Sequence, residues 1–341
     1  NDKRIWVGTQ FDGVLLFNPN GQLQRQFHIR NFQFSNKAKY IQYLTNHSST
    51  PLVITRNNVF TYNLKHNQWN ALLKHEDEKF LFVSSLSTGR VLMSSDQGML
   101  ELVDSIDSYS LVKAKEFLGI SGVRFTRVFE GRNYVYIPYN SNELWIYQQK
   151  NKELIKKKSI PLKAEFYNFV EIAGRTLFAT SRGILELDID SLLLKEVEPE
   201  LTFALNNHTP YDLLEDKNSD LWIPTNKTLV RYNLETKEAA TFRKEDGFIS
   251  TEFSDYMKNL VASDGKIWLG TNKGVVVFHP DSIQPYPYPP NPYIDGLKVN
   301  NEPYQGKVVA GEAEAITLDY RQNTLELDLL AIGYYLPKES T

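Results

Sequence analysis

With 341 residues, the chain is long enough to bury a large core within one ring-like domain. Its net charge of −3 gives no electrostatic case for nucleic acid or an anionic membrane surface. The absence of cysteine removes disulfides, thiolate metal ligands and thiol catalysis, and no apolar run approaches a membrane span.

In chain order, the first element is a hairpin. Arg4-Ile5-Trp6-Val7-Gly8-Thr9 reads as a strand, and Gly13-Val14-Leu15-Leu16-Phe17 returns beside it after a polar turn. The same ribbon recurs at 52–55 with 59–62, 91–95 with 98–102, 135–138 with 144–147, 176–180 with 183–187, 221–225 with 229–232, and 266–270 with 275–278. The anchor positions are Trp6, Val53, Leu92, Tyr136, Leu177, Trp222 and Trp268, spaced by 39 to 47 residues. All-β repeats of that period indicate a propeller with one four-stranded blade per repeat. Two residues after each anchor stands Gly8, Thr55, Ser94, Pro138, Ala179, Pro224 or Gly270. Small or cyclic side chains there imply that neighbouring sheets approach closely.

Every hairpin after the first is preceded by an inner strand, at 39–44, 80–86, 124–129, 166–171, 211–215 and 259–262. A looser outer strand follows each hairpin, as at 22–29 and 239–244. The first blade lacks its inner strand. Either the C-terminal side completes that position or sequence upstream of Asn1 does; we expect the latter, since nothing after Phe278 resembles an inner strand. The expected architecture is therefore an all-β, seven-bladed propeller over 1–280. Residues 281–292 hold the Pro-rich run Gln284-Pro285-Tyr286-Pro287-Tyr288-Pro289-Pro290-Asn291-Pro292, a semi-rigid extended linker. Beyond it, 293–299, 308–309, 315–319 and 324–330 read as strands of a different unit, with Asn300-Asn301 as a turn. We take 293–341 as the first part of an Ig-like β-sandwich.

These residues resemble the two-component regulator propeller repeats of hybrid sensor histidine kinases. Such repeats run from an acidic or glycine turn into Ile-Trp-x-Gly-Thr, a short turn with Gly, then a strand ending in an aromatic and Asn/Asp-Pro. Ile5-Trp6-Val7-Gly8-Thr9 with Phe17-Asn18-Pro19 matches closely, as does Ile267-Trp268-Leu269-Gly270-Thr271 with Phe278-His279-Pro280. Leu221-Trp222-Ile223-Pro224-Thr225 with Tyr232-Asn233 departs at Pro224, and the second to fifth copies are degenerate. Asp246-Gly247-Phe248-Ile249-Ser250-Thr251-Glu252-Phe253 is similar to the family's loop before its terminal blade. The Pro-rich step into Tyr293-Ile294-Asp295-Gly296-Leu297-Lys298-Val299-Asn300 is similar to the opening of the tyrosine-rich Ig-like (Y_Y_Y) domain that follows these propellers. The resemblance implies a periplasmic ectodomain of an inner-membrane protein. It also implies an upstream propeller, a downstream membrane helix and kinase in the same polypeptide, and a homodimer. By that reading the segment is not itself an enzyme, senses an oligosaccharide, and controls polysaccharide-utilisation genes.

The residues themselves point the same way on chemistry. Six scattered histidines show no metal-ligand spacing, no phosphate loop is present, and we expect no metal or cofactor. Ser94-Ser95-Asp96-Gln97-Gly98 is a fragment of an Asp-box, a structural turn, and the lysines of 150–158 read as protection of an outer edge strand. Glu165, Asp212, Glu252 and Asp255 could face one another across a ring mouth, as a carbohydrate-active lyase or glycosidase would need. The stronger reading places ligand on the loops entering the inner strands, which converge on one face. Those loops carry Arg30, Asn31, Arg124, Arg127, Tyr167, Asn168, Asn207, His208, Tyr211, Glu252, Asp255 and Tyr256. Aromatic faces stack on sugar C–H surfaces, and planar donors fork onto hydroxyls or carboxylates. Arg30, Asn31, Arg124, Tyr167, His208, Tyr211, Glu252 and Asp255 form the candidate set, with Arg30, Tyr167, His208 and Tyr211 preferred. A propeller serving only as a protein-binding platform is the remaining alternative.

Overall fold

The computed structural model describes residues 4–9, 12–28, 32, 41–47, 50–63, 66–74, 79–87, 89–95, 98–105, 108–113, 127–139, 141–150, 153–255, 257–283, 292–304 and 317–331. They fall into two compact units, Asn1–Pro280 and Asp281–Thr341.

The first unit is all-β and propeller-like, with seven successive antiparallel sheets among the described residues. The second to sixth each have four strands in simple up-and-down order. The fifth shows the pattern: inner strand Phe166–Ile172, hairpin Arg175–Thr180 and Gly183–Asp188, outer strand Leu193–Glu196. The first sheet has only Ile5–Gly8, Val14–Phe17 and Leu23–Phe27, without an inner strand. The seventh departs from the expected pattern. It holds Leu260–Val261, Ile267–Thr271 and Gly274–Phe278; among the described residues no outer strand follows, and Pro280–Ser282 turns into a 3-10 helix instead. First and seventh sheets meet: Lys266 Nζ donates to the Pro19 carbonyl at 2.8 Å, and Phe17 packs edge-on to Trp268 at 5.6 Å. The sheets thus close on themselves.

Period-two alternation explains the packing. In Arg175–Thr180, Leu177 and Ala179 point to the sixth sheet, where they pack with Leu221, Ile223, Val230 and Tyr232. Phe178 points the other way, onto Tyr136 and Ile146 of the fourth. In Asp220–Pro224, Leu221 and Ile223 return that contact, while Trp222 packs with Phe242 and with Phe278 of the seventh sheet. Each central strand is buried on both faces, so the core lies between adjacent sheets rather than at one centre. Close approach is visible at Gly8, where a Cβ would come within 3.1 Å of Ile41 in the second sheet. At Gly270 the crowding comes instead from Met257, 3.2 Å away in the loop leading into the same sheet.

The inner strands of the fourth, sixth and seventh sheets shrink to Phe129–Glu130, Leu214–Glu215 and Leu260–Val261. A short helix, Pro199–Leu205, stands between the fifth and sixth sheets and buries Leu201 and Leu205. It was not anticipated; Pro199 at its first position marks the start of the helix.

A buried hydroxyl closes most hairpins. Thr55, Ser95, Thr180, Thr225 and Thr271 donate to the carbonyls of Asn58, Gly98, Gly183, Thr228 and Gly274 at 3.3, 3.0, 2.8, 2.9 and 3.0 Å. Thr9 donates to Gly13 at 2.9 Å, whereas the fourth sheet has Tyr139 at this place. The same oxygens accept turn N–H groups, as Thr225 does from Thr228 at 2.9 Å and Lys227 at 3.2 Å.

The second unit is a three-stranded antiparallel sheet of Pro292–Val299, Glu302–Pro303 and Leu325–Ala331. Asn300 and Asn301 both adopt left-handed backbone (φ 52° and 67°) and make the tight turn that asparagine tolerates. Thr317–Asp319, expected as part of a strand, is not one; the side chain of Gln322 turns it by binding Asp319 N–H at 2.8 Å. The expected strand at 308–309 lies outside the described residues.

Replacing Thr225 by valine keeps shape but strips the turn of its hydroxyl and strands buried backbone groups. Chemical denaturation should show a loss of about 1–3 kcal/mol. Thr225→Ser should retain most of the stability.

Candidate functional site

Antiparallel order fixes which loops share a face. The loops entering inner strands and the turns closing hairpins lie at one end of every sheet. The two sets are stitched together. Glu165 N donates to Ser181 Oγ at 3.0 Å, Tyr211 N to the Pro224 carbonyl at 2.9 Å, and Ser250 Oγ to Asn272 Oδ1 at 2.7 Å. Any site on this face therefore rests on a rigid rim.

Near the ring axis two polar ties dominate. Arg127, before the fourth inner strand, is buried. Its guanidinium donates to the Tyr167 carbonyl of the fifth sheet, and to the Asp255 carbonyl before the seventh at 3.0 Å, with Asp255 Oδ2 at 3.5 Å. Phe82 of the third sheet lies 4.8 Å from the guanidinium carbon. One side chain thus links sheets on opposite sides of the ring. Burial raises the Asp255 pKa and Arg127 only partly offsets it.

The second tie is Asp212. Its carboxylate accepts from Asn168 Nδ2 of the fifth sheet, from Leu213 N at 2.8 Å, and from Asn259 Nδ2 of the seventh at 2.8 Å. Asn259 Oδ1 in turn accepts from Gly270 N at 3.0 Å. Asp212 and Asn168, both read as candidates from the sequence, are consumed in joining three sheets. Asp212 is buried, and its three bonds give it a structural place between sheets.

Outside these ties lies an aromatic and acidic patch. Tyr167 meets Tyr211 edge-on at 5.1 Å, and its hydroxyl donates to Glu165 Oε2 at 3.2 Å. Burial, then the charges of Asp255 and Glu165, raise the Tyr211 pKa; Tyr167 is raised by burial first and by Glu165. Tyr167 is largely covered, leaving Tyr211 as the more open ring. Further out, Glu252 is exposed and accepts from Asn272 Nδ2. His208 is half-buried, and its backbone N–H donates to the Leu205 carbonyl at 2.8 Å. Burial and the neighbouring charges of Lys227 and Arg243 lower its pKa. Asn207 is exposed and left-handed (φ 59°).

The structure thus brings Tyr167, Tyr211 and Asp255 together and sets His208 and Glu252 further out on the same face. Arg30, Asn31, Arg124 and Tyr256 lie outside the described residues. Sequence reading missed Asn259, placed inside the last predicted inner strand, which joins Asp212 to Gly270.

No family model matches the chain. It is similar to part of a bacterial histidine kinase. Identity to histidine kinase P4 of Formosa agariphila is 32% over 109 residues, covering 32% of this chain and 8% of that protein. The fold is shared with the extracellular domain of a putative hybrid two-component system from B. thetaiotaomicron: TM-score 0.67, 16% identity, 96% of this chain and 45% of that one. It is also shared with PorZ, a surface component of the type-IX secretion system of Porphyromonas gingivalis: TM-score 0.59, 11% identity, 97% of this chain and 58% of that one. Virginiamycin B lyase from Staphylococcus aureus aligns at TM-score 0.56 and 14% identity, over 81% of this chain and 91% of that one. The chain therefore spans a small fraction of the curated relative and under half of the first of these structures.

A lowered histidine pKa has a signed consequence. The unfolded chain binds a proton near the ordinary value of about 6.5, and the folded chain only below it. Acidification from about pH 6.5 downward should therefore cost stability through His208, with no contribution above that pH. NMR titration of the imidazole should give a midpoint below the ordinary value, and Lys227→Gln should move it upward.

Proposed function

We propose that this chain is a ligand-sensing segment of the ectodomain of a hybrid two-component sensor kinase, a seven-bladed propeller followed by part of an Ig-like domain. On this reading it binds a glycan-derived oligosaccharide outside the inner membrane. It passes the signal through the Ig-like unit and a membrane helix to a cytoplasmic kinase, as a homodimer, to control polysaccharide-utilisation genes. The observation that carries it is the pairing of kinase similarity with a fold found in the extracellular domain of a hybrid two-component system. The site supports the same reading. Tyr211 and Tyr167 offer aromatic surface beside Glu165 and Asp255, on loops held rigid by hairpin turns. That is the makeup of a surface that orients hydroxyls and stacks on a sugar ring. In the second unit, Leu325 and Leu327 are exposed on alternate positions of one strand, an apolar face that suits packing against a second sheet of a sandwich.

A second reading, a carbohydrate-active enzyme, keeps one specific support. Glu165 and Asp255 are close enough for their charges to interact, with two tyrosines beside them. Incubation with polysaccharide fragments separates the readings. Turnover that disappears in Glu165→Gln or Asp255→Asn would overturn the sensor reading for this segment.

The direct test is calorimetric screening of the protein against a panel of oligosaccharides. Binding without turnover is expected. Tyr211→Ala should weaken it about tenfold, the size of one aromatic contact of roughly 1.4 kcal/mol. Absence of binding across the panel, with capture of a protein partner instead, would favour the platform alternative.

A further inference from the structure

Two sheet edges are open, and they belong to neighbouring sheets. In the second to sixth sheets an inner strand covers one side of the hairpin and an outer strand covers the other. Among the described residues, nothing bonds the outer side of Gly274–Phe278 in the seventh sheet or the inner side of Ile5–Gly8 in the first. The two sheets touch through Lys266 on Pro19 and Phe17 on Trp268.

Apolar exposure follows the same edges. Leu221, Trp222 and Ile223 are completely buried in the sixth sheet, but the equivalent Ile5, Trp6 and Val7 of the first are half-buried. Leu229 and Tyr232 are completely buried as well, whereas the equivalent Val275 and Phe278 of the seventh are half-buried and Val277 beside them is 38% exposed. A bare ladder edge bearing β-branched residues is a template for another strand.

The path of the chain says which strand belongs there. Every outer strand leads, by a connection on the candidate face, to the inner strand of the next sheet and then into its hairpin. Carried from the seventh sheet to the first, that order calls for one continuous segment: an outer strand, a rim loop and an inner strand, entering the hairpin at Ile5. Its length is set by the other sheets. From the start of an outer strand to the start of the next hairpin the chain takes 22 residues between Glu153 and Arg175, and 28 between Ala239 and Ile267. The run after Phe278 is a poor substitute. It carries proline at 285, 287, 289, 290 and 292, each without an N–H to give a ladder, and Pro292–Val299 already serves the second unit.

We propose that the stretch of polypeptide preceding Asn1 docks on both edges, as the outer strand of the seventh sheet and the inner strand of the first. The sequence called on such a stretch only for the inner strand; the open side of Gly274–Phe278 extends it by a strand and a loop. That loop has a functional consequence. Six outer-to-inner connections lie within the chain, and their loops make up the candidate face. The docked stretch brings the seventh, next to the loop that holds Glu252 and Asp255, so the face is complete only with it. The docking itself does not depend on what the face binds.

Photo-crosslinking in the protein with its native upstream sequence tests this. Benzoylphenylalanine is placed at Val277 or, in a second variant, at Lys273, both exposed. By the spacing above, mass spectrometry of the crosslinked peptides should find partners about 15–25 residues before Asn1. Antiparallel pairing adds a sign: the Lys273 partner should lie nearer Asn1 than the Val277 partner. In the unsubstituted protein, amide exchange at 5–8 and 274–278 should be as slow as at 220–224 and 229–233. Circular dichroism checks that each variant folds. Crosslinks to 284–292, to the second unit or to a second copy, the last seen as a covalent dimer, would overturn the proposal. So would fast exchange at both edges. None of these readouts uses a saccharide, so a failure here is distinct from a failure of the sensing reading.

Discussion

The hydroxyl that closes the hairpin is the small interaction on which the larger architecture depends. A two-stranded ribbon is marginal by itself. It becomes a dependable unit when Thr225 or an equivalent satisfies both a carbonyl and an N–H of the turn at once. The closed turn then offers fixed partners to the loop entering its own sheet, as at Pro224 for Tyr211 and Asn272 for Ser250. In this way a backbone economy inside each sheet sets the rim around the axis.

The recurring residues and the site residues do different work. Asp216 accepts from Asn218 N, Asp220 N and Trp222 Nε1 at 2.8, 3.0 and 2.8 Å, so the acidic turn before a hairpin organises backbone and tryptophan together. Asn18 and Asn233, which end their strands, cap the next turn through Gln22 N and Thr236 N at 2.9 and 2.7 Å. The repeat motif is therefore structural throughout. On the proposed reading, recognition is left to side chains that do not repeat: Tyr167, Tyr211, His208 and Asp255. Fold and function are written in separate positions, as expected when a site is grafted onto a repeated scaffold.

That separation explains what could be read in advance. Hairpins were legible because alternation such as Leu177-Phe178-Ala179 buries both faces of a strand and leaves a strong local pattern. Inner strands were overextended. At 211–213, pairing with the hairpin continues only as the Pro210–Thr225 bridge and the bond of Tyr211 N–H to Pro224, while Asp212 turns its carboxylate to Asn168 and Asn259, a tertiary choice that propensity does not record. The outer strand of the seventh sheet was expected by repetition; among the described residues the turn at Pro280 stands in its place. At the site, the face and several members were legible from loop position alone. Their roles were not. Asp212 looked like a candidate acid and is a node between sheets; Arg127 looked like a ligand donor and is a tie across the ring.

The account stands on one face of the ring being a recognition surface. Hydrogen–deuterium exchange with and without an oligosaccharide that binds in the calorimetric panel tests this most directly. Protection should concentrate at 163–168, 208–211 and 252–259, the loops that meet near the axis. Protection confined to the opposite-face turns at 216–219 and 262–266 would contradict it.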